Sequence, residues 1–453
     1  DNKGDDHMLY RTAEEKINNW ITEGKDAFLL TGARQIGKTY LIRHCLEQAQ
    51  IPYLEINFIE RPELVEVFMK AKDAKDLLLR LSVIAKEPLI PGKTIFFLDE
   101  VQECKDIVTR IKFLVEEGSY RYIMSGSLLG VELNDLRSAP VGYLRVLDMY
   151  PLCFEEFCRA VGIRNEIWQK IHDCFKNRIP VDSFLHEKML DVFYLYLIIG
   201  GMPEAVEIYC KTNDLAKVLQ IHEKIIRLYK TDFSKYEHRY KLKLQEIYEA
   251  MPGQLDQKNK RFKLSSIGKG MSYDRAENAF LWLKDAGVAI PVYNITEPKL
   301  PLQVSENRNL FKLFFSDVGL LTSCYSQAVK LAILRKDPAI NNGALFENVV
   351  AQELLAQGHK EYYFNSKKQG ELDFVIELDG KVVPLEIKSG KDYKRHSALN
   401  NVLETENYGI EEAYVFSDRN VEIEKKRIYV PIYMISFLKE EEIAQFIYTL
   451  DLP

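Results

Sequence analysis

The sequence predicts an α/β protein of several domains: an N-terminal parallel-sheet domain, a helical segment, a helix-turn-helix with a strand ribbon, and a second α/β domain at the C-terminus. Three observations predict it. Apolar runs at residues 27–31, 94–98 and 120–124 are separated by helix-like stretches, the pattern of a buried parallel sheet. After Tyr150-Pro151-Leu152 the strand pattern stops, and residues 154–210 read as helices. Strand-like runs return at 371–376 and 382–388, joined across Asp379-Gly380, a strong hairpin-turn dipeptide.

A chain of 453 residues exceeds what one hydrophobic core organises, so four segments are expected: 9–150, 151–235, 236–325 and 326–453. With 47% hydrophobic and 28% charged residues, most of it should fold. The net charge of -6 excludes a global basic field that would bind nucleic acid indiscriminately, so any such contact rests on local patches. Seven scattered cysteines without C-x-x-C spacing argue against a disulfide framework and a zinc site, and for a cytoplasmic location. The longest apolar run, 192–199, is far short of a membrane span and reads as core, so no membrane partner is expected. Residues 1–7, acidic and polar, read as an addition ahead of a native start at Met8.

The first run leads into Gly32-Ala33-Arg34-Gln35-Ile36-Gly37-Lys38-Thr39, and then into a helix beginning near Tyr40. Strand, G-x-x-x-x-G-K-T loop and helix form a phosphate cradle. The glycines let backbone N–H groups wrap phosphates, Lys38 neutralises the β and γ phosphates, and the Thr39 hydroxyl ligates magnesium. The expected ligands are therefore ATP and Mg²⁺, held by residues 32–40. The second run delivers Asp99 and Glu100 to the same sheet edge, Asp99 to hold the metal through water and Glu100 to polarise the attacking water. Ser125 and Ser127, after the third run, are placed to sense the γ-phosphate. Arg137 and Arg145 follow at a distance compatible with an arginine finger, but each reads more readily as an ordinary surface or ion-paired arginine.

The helical stretch, punctuated by Gly200-Gly201-Met202-Pro203, is read as a lid over the nucleotide, with the double glycine either hinge or plain turn. Between residues 228 and 263 basic side chains outnumber acidic ones: Lys235, Arg239, Lys241, Lys243, Lys258, Lys260, Arg261 and Lys263 interleave with Tyr236, Tyr240 and Phe262. A short helix signal at 264–267, a Gly-Lys-Gly turn, a helix over 273–285 and a strand pair around 288–293 follow the order of a winged helix. Ala276, Ala279, Phe280 and Leu283 form its apolar stripe, leaving Ser272, Tyr273, Arg275 and Asn278 as candidate DNA readers. The same module serves equally for packing against protein.

In the last segment, a helical pattern over 342–355 contains Glu347, and the hairpin brings Asp373 near Glu386 and Lys388. Alternation sets Glu386 and Lys388 on one face, the arrangement of magnesium nucleases of the PD-(D/E)xK type. Glu347, Asp373 and Glu386 would hold the ion and Lys388 would orient or deprotonate water. A nuclease-like fold serving only as a binding platform fits the same residues.

With these blocks in view, the chain resembles the bacterial and archaeal single-chain AAA-family ATPases that carry a C-terminal domain of unknown function with a restriction-nuclease-like core. The resemblance rests on the 32–39 loop, Leu98-Asp99-Glu100-Val101-Gln102, Ser125-Gly126-Ser127-Leu128, the 150–157 block Tyr-Pro-Leu-Cys-Phe-Glu-Glu-Phe, Gly200-Gly201-Met202-Pro203-Glu204 and Leu385-Glu386-Ile387-Lys388. It implies ATPase activity and a nucleic-acid role. Many relatives have Gly-Arg ahead of the Tyr-Pro-Leu block, whereas here Gly142 precedes Tyr143, so the finger's identity stays open. Two functions remain: an ATP-driven enzyme acting on DNA, and a nucleotide-dependent switch for a protein partner with an inactive nuclease-like domain. Homo-oligomerisation is expected of AAA-type sites at subunit interfaces.

Overall fold

Five strands organise the N-terminal part of the chain, four of them buried or half-buried and the last largely exposed: β1 Ala27–Thr31, β2 Tyr53–Asn57, β3 Ile95–Asp99, β4 Arg121–Gly126 and β5 Leu144–Asp148. They form one parallel sheet in the order β2-β3-β4-β1-β5. β1 and β3 are buried at every residue, which is why their sequences run apolar without alternation. This computed structural model describes residues 9–104, 107–127, 142–233, 238–257, 260–268 and 272–440, without the side chains of 108, 109, 238–242, 274 and 275.

The chain divides into two compact units, each discontinuous in sequence. The first comprises 1–163, 195–291 and 313–330, and the second 164–194, 292–312 and 331–453. In the first, Ile56, Phe58, Phe68, Phe96, Leu98 and Met124 belong to the core under the parallel sheet. The crossover helices are amphipathic, and Ala74–Ile84 is capped by Asp73, whose carboxylate accepts from Asp76 N at 2.8 Å.

The Tyr150-Pro151-Leu152 block is a junction within this unit. Glu156 accepts from Cys153 N at 3.1 Å and Thr12 N at 2.7 Å, and pairs with Arg11 at 3.3 Å. Leu152 N donates to Gly201 O at 2.7 Å, and Gly201 N donates to Asp317 at 2.5 Å. A Cβ on Gly201 would lie 2.1 Å from Leu152 O, so the double glycine is a site of close backbone crossing.

The second unit is built on an eight-stranded mixed sheet of order β12-β13-β11-β10-β9-β8-β6-β7. Its strands are β6 Ala289–Ile295, β7 Glu306–Phe315, β8 Tyr362–Ser366, β9 Gly370–Leu378, β10 Lys381–Ile387, β11 Ala413–Ser417, β12 Glu422–Glu424 and β13 Arg427–Pro431; the ends of β6 and β7 at 289–291 and 313–315 are counted with the first unit. Asp379 (φ 48°) and Gly380 (φ 73°) make the β9–β10 turn, both left-handed as a two-residue hairpin requires. Ile295, Phe364, Leu372, Val375, Leu399 and Val415 belong to its core.

The strand pair expected around 288–293 is a single strand, β6, with β7 on one side and β8 parallel on the other. A two-stranded ribbon standing alone would leave its apolar residues wet, whereas this one is absorbed into a larger sheet. The helix Tyr273–Asp285 buries Ala276, Ala279, Phe280 and Leu283 as expected, but it also buries Tyr273, whose ring stacks on Phe280. Ser272 and Asn278 are exposed, and the side chain of Arg275 lies outside the described residues.

Candidate active site

The loop between β1 and the helix Lys38–Gln48 carries the features a phosphate cradle needs. Gly32 (φ 141°), Gln35 (φ 66°) and Gly37 (φ 88°) take left-handed backbone, and a Cβ on Gly32 would meet Met149 O at 2.2 Å. No side chain caps the helix, so its first N–H groups keep their capacity for an anion. Lys38 is buried and donates to Gly32 O at 3.0 Å and Ala33 O at 2.7 Å, the loop's own carbonyls standing where phosphate oxygens would compete. Burial pushes its ammonium down to about 8, against the opposing charges of Glu100 and Asp99.

Parallel register brings the carboxylates to the same edge. Thr39 Oγ1 donates to Asp99 at 3.0 Å, Asn57 Nδ2 donates to it at 2.9 Å, and Ser125 Oγ is also hydrogen-bonded to it. Burial raises the Asp99 pKa, Ser125 and Thr39 counter this by donating to the carboxylate, and Glu100 adds to the rise. Glu100 follows in left-handed conformation (φ 57°), and Gln102 Nε2 donates to its Oε2 at 2.5 Å. Ser125 thus serves Asp99, while Ser127 is buried with its N–H on Gln102 Oε1 at 3.2 Å. Asn57 escaped the sequence reading because an isolated Asn at a strand end carries no pattern. The Thr39–Asp99 pair fits magnesium in kind: a hydroxyl and a carboxylate, 3.0 Å apart, beside the cradle.

A cavity of about 550 Å³ lies along this edge, lined by Arg11, Arg34, Lys38, Thr39, Glu100 and Pro203 among others. Tyr40 also lines it and is half-exposed. Arg34 pairs with the buried Asp232 at 2.9 Å, tying the loop to the helix Leu215–Phe233. Arg11 donates to Ile36 O at 3.0 Å and Tyr150 O at 2.5 Å, holding the loop and the Tyr-Pro-Leu block in one frame. Besides Lys38, the cations lining this cavity are Arg11, Arg34 and Arg43. Arg145 is opposite Phe28, three residues back from the Thr31–Asp148 pairing, roughly 10 Å from the sheet edge, and pairs with Asp26 at 3.2 Å. That removes Arg145 as a finger within its own chain, and Arg137 lies outside the described residues.

In the second unit the hairpin register, Leu385 opposite Phe374, carried one residue on sets Asp373 opposite Glu386. Ile387 N donates to Asp373 Oδ2 at 2.8 Å, and Lys388 Nζ donates to Glu386 Oε1 at 2.7 Å. Burial, then the charge of Asp373, raises the Glu386 pKa; burial opposes the charge of Lys388, but Glu386 outweighs it and raises that pKa. Glu347 is buried on the helix Gly343–Ala356 and faces Lys312 at 3.7 Å. Lys312, unforeseen from the sequence, is fully buried on β7 and also pairs with Glu371 at 2.9 Å. Its burial disfavours charge, yet Glu347, Glu371 and Asp373 together raise its pKa above the ordinary lysine value. Among the described residues no three His, Cys, Asp or Glu side chains form a group able to hold a metal ion, so the arrangement of Glu347, Asp373 and Glu386 does not fit a three-carboxylate centre.

The expected basic patch is only partly visible. Lys260, Arg261 and Lys263 flank the buried Phe262, with Arg261 and Lys263 exposed and Lys260 and Lys243 half-buried. Lys235, Tyr236 and Lys258, and the side chains of Arg239, Tyr240 and Lys241, lie outside the described residues, as does Leu128. No described helix is long and apolar enough to cross a membrane.

Residues 24–158 match the family described as AAA domain. Residues 190–329 and 342–435 match two families described as domains of unknown function, DUF8612 and DUF4143. No curated protein matches the chain. Similar solved structures include the Walker-type ATPase PABY2304 of Pyrococcus abyssi, 15% identical over 70% of this chain and 96% of that one, with a TM-score of 0.43. The RuvB Holliday junction branch migration motor of Thermotoga maritima is 13% identical over 69% and 94%, with a TM-score of 0.32. Domain III of the Thermotoga maritima replication initiation protein DnaA is 15% identical over 48% and 95%, with a TM-score of 0.29. Likeness of this degree decides nothing about the chain's function. The domain match and the cradle agree on the first part of the molecule: residues 24–158 carry an AAA-type P-loop ATPase domain.

Proposed function

We infer that this chain hydrolyses ATP with magnesium and uses the nucleotide state to control engagement of DNA. The observation that carries the hydrolytic part is the convergence of Lys38, the Thr39–Asp99 pair and Glu100 on one sheet edge, lining or adjoining one cavity. The helix N–H groups and Lys38 bind and neutralise the phosphates. Thr39 and, through water, Asp99 would hold a magnesium ion, which when bound would supply charge neutralisation to the phosphates. Glu100, fixed by the Gln102 amide, orients the attacking water and accepts its proton. Arg34 and Arg11 supply further positive charge in the same cavity.

The DNA part rests on Lys260, Arg261 and Lys263 beside the helix Tyr273–Asp285. The alternative, a nucleotide switch for a protein partner with the C-terminal unit as an inactive platform, is favoured by the burial of Tyr273, which withdraws one reader from that helix. ATP turnover with and without duplex DNA, on the wild type and Glu100→Gln, tests both. Glu100→Gln should bind ATP and lose turnover by about 100-fold or more, and Lys38→Ala should lose binding. Turnover unchanged in Glu100→Gln would refute the hydrolytic assignment; turnover indifferent to DNA favours the protein switch. Magnesium-dependent DNA cleavage abolished by Glu386→Ala would show the platform reading to be wrong.

A further inference from the structure

We propose that Lys312 is a built-in cation of the C-terminal carboxylate cluster, which takes Glu347 and Glu371 out of metal coordination and leaves the cluster short of a divalent-ion site. Lys312 is 1% exposed on β7, and its ammonium is 2.9 Å from Glu371 Oε1 and 3.7 Å from Glu347 Oε2. The face of the Tyr363 ring lies 5.1 Å from it, an aromatic wall that itself favours a cation. Glu371 is held from the other side by Asn365 Nδ2 at 2.9 Å on its second oxygen. This is a cage around an ammonium ion. A solvated ion pair would be exposed and geometrically loose, whereas this lysine has given up its water for fixed partners.

The consequence is electrostatic and steric. A divalent ion ligated by Glu347 would face the Lys312 ammonium across the same carboxylate, and like charges at that distance repel strongly in a dry setting. Asp373 and Glu386 remain, and each has one oxygen engaged, by Ile387 N and Lys388 Nζ. Two carboxylates with several waters are an ordinary magnesium set, but here an ion would compete with the Ile387 N–H and the Lys388 ammonium for their oxygens, and the Lys388 and Lys312 charges would both repel it. The lysine comes from β7, 61 residues before Asp373 in the chain, so no local motif contains it.

The test is Mn²⁺ binding to the nucleotide-free full chain by calorimetric titration, with Asp99→Asn alongside to count any ion taken up at the phosphate loop. The wild type should show no saturable binding dependent on Glu386 at submillimolar Mn²⁺. Lys312→Met should gain a site, at least about tenfold tighter than wild type, and its thermal midpoint should rise with added Mn²⁺. Lys312→Met/Glu347→Gln should lose that gain. Tight Mn²⁺ binding by the wild type that weakens in Glu347→Gln overturns the proposal, and this arm does not depend on Lys312→Met folding. Equal Mn²⁺ affinity in wild type and folded Lys312→Met overturns it as well. ATP turnover, measured separately, reports on the first unit and is not predicted to follow these outcomes.

Discussion

Individual buried groups set much of this protein's chemistry. His222 has no exposure, and its Nε2 bonds to Ile199 O at 2.9 Å, so the neutral ring donates there. Burial pushes its pKa down to about 4, and nearby Lys330 acts in the same direction. In the unfolded chain the ring titrates near its ordinary value, so protons are taken up on unfolding between about pH 6.5 and 4. Stability from this group is therefore complete above about pH 6.5 and lost as pH falls toward 4, a change of about 3 kcal/mol. Urea melts at pH 7 and pH 4.5 on wild type and His222→Gln will check this. The variant should lose less stability than wild type on acidification, and an equal loss would remove His222 as the cause. Asp99 shows a different use of burial: its three donors hold a desolvated carboxylate ready beside Thr39.

At the scale of elements, the Tyr-Pro-Leu block crosses Gly200-Gly201 so closely that no side chain fits between the two backbones. Gly201→Ala would drive a methyl group into Leu152 O, within 2.1 Å, where a backbone carbonyl cannot swing aside as a side chain can. The expected cost is about 3 kcal/mol, at the upper end for overpacking, measured by chemical denaturation. A loss below about 0.5 kcal/mol would show that the crossing can open. Asp317 reinforces it from the start of the helix Val318–Ser323, accepting from Gly201 N at 2.5 Å and Leu320 N at 3.1 Å. This geometry favours the turn reading of the double glycine over the hinge. The next helix, Pro203–Thr212, starts at Pro203, which lines the nucleotide cavity. The arrangement explains why a Gly-Gly-Met-Pro run follows a helical stretch: two glycines for approach, then proline as a helix starter.

For the whole molecule, two units with separate cores imply that ligands act locally before they act globally. ATP at about 100 times its dissociation constant should stabilise the unit that carries the loop by about 2.7 kcal/mol. Amide exchange should then slow around residues 31–40 and 99–102 in the wild type and stay unchanged in Lys38→Ala. With a net charge of -6, DNA binding would have to come from a local patch. Its affinity should fall steeply with salt, by about one logarithmic unit per phosphate neutralised for each tenfold rise in salt. A binding constant indifferent to salt would point to the protein-partner reading.

The amino-acid sequence alone determined the phosphate loop, the carboxylates at the end of β3 and the Asp379-Gly380 hairpin that pairs Asp373 with Glu386. Each depends on contiguous residues or on one strand's alternation, so short-range geometry suffices. Only the tertiary structure decided the rest. Arg11 meets the loop it supports, Arg34 meets Asp232 and Lys312 meets Glu347 and Glu371 by packing between elements far apart in sequence. Arg145 is the ion-paired surface arginine that the sequence favoured, but its place along β5 needed the fold, since counting residues after a strand does not say toward which end of the sheet a side chain falls. The strand expected to form a wing joined an eight-stranded sheet, because burying both its edges outweighs local hairpin preference. Sequence patterns specify chemistry held within an element, whereas the burial that tunes it and the counter-charges that complete it arise only when distant elements pack.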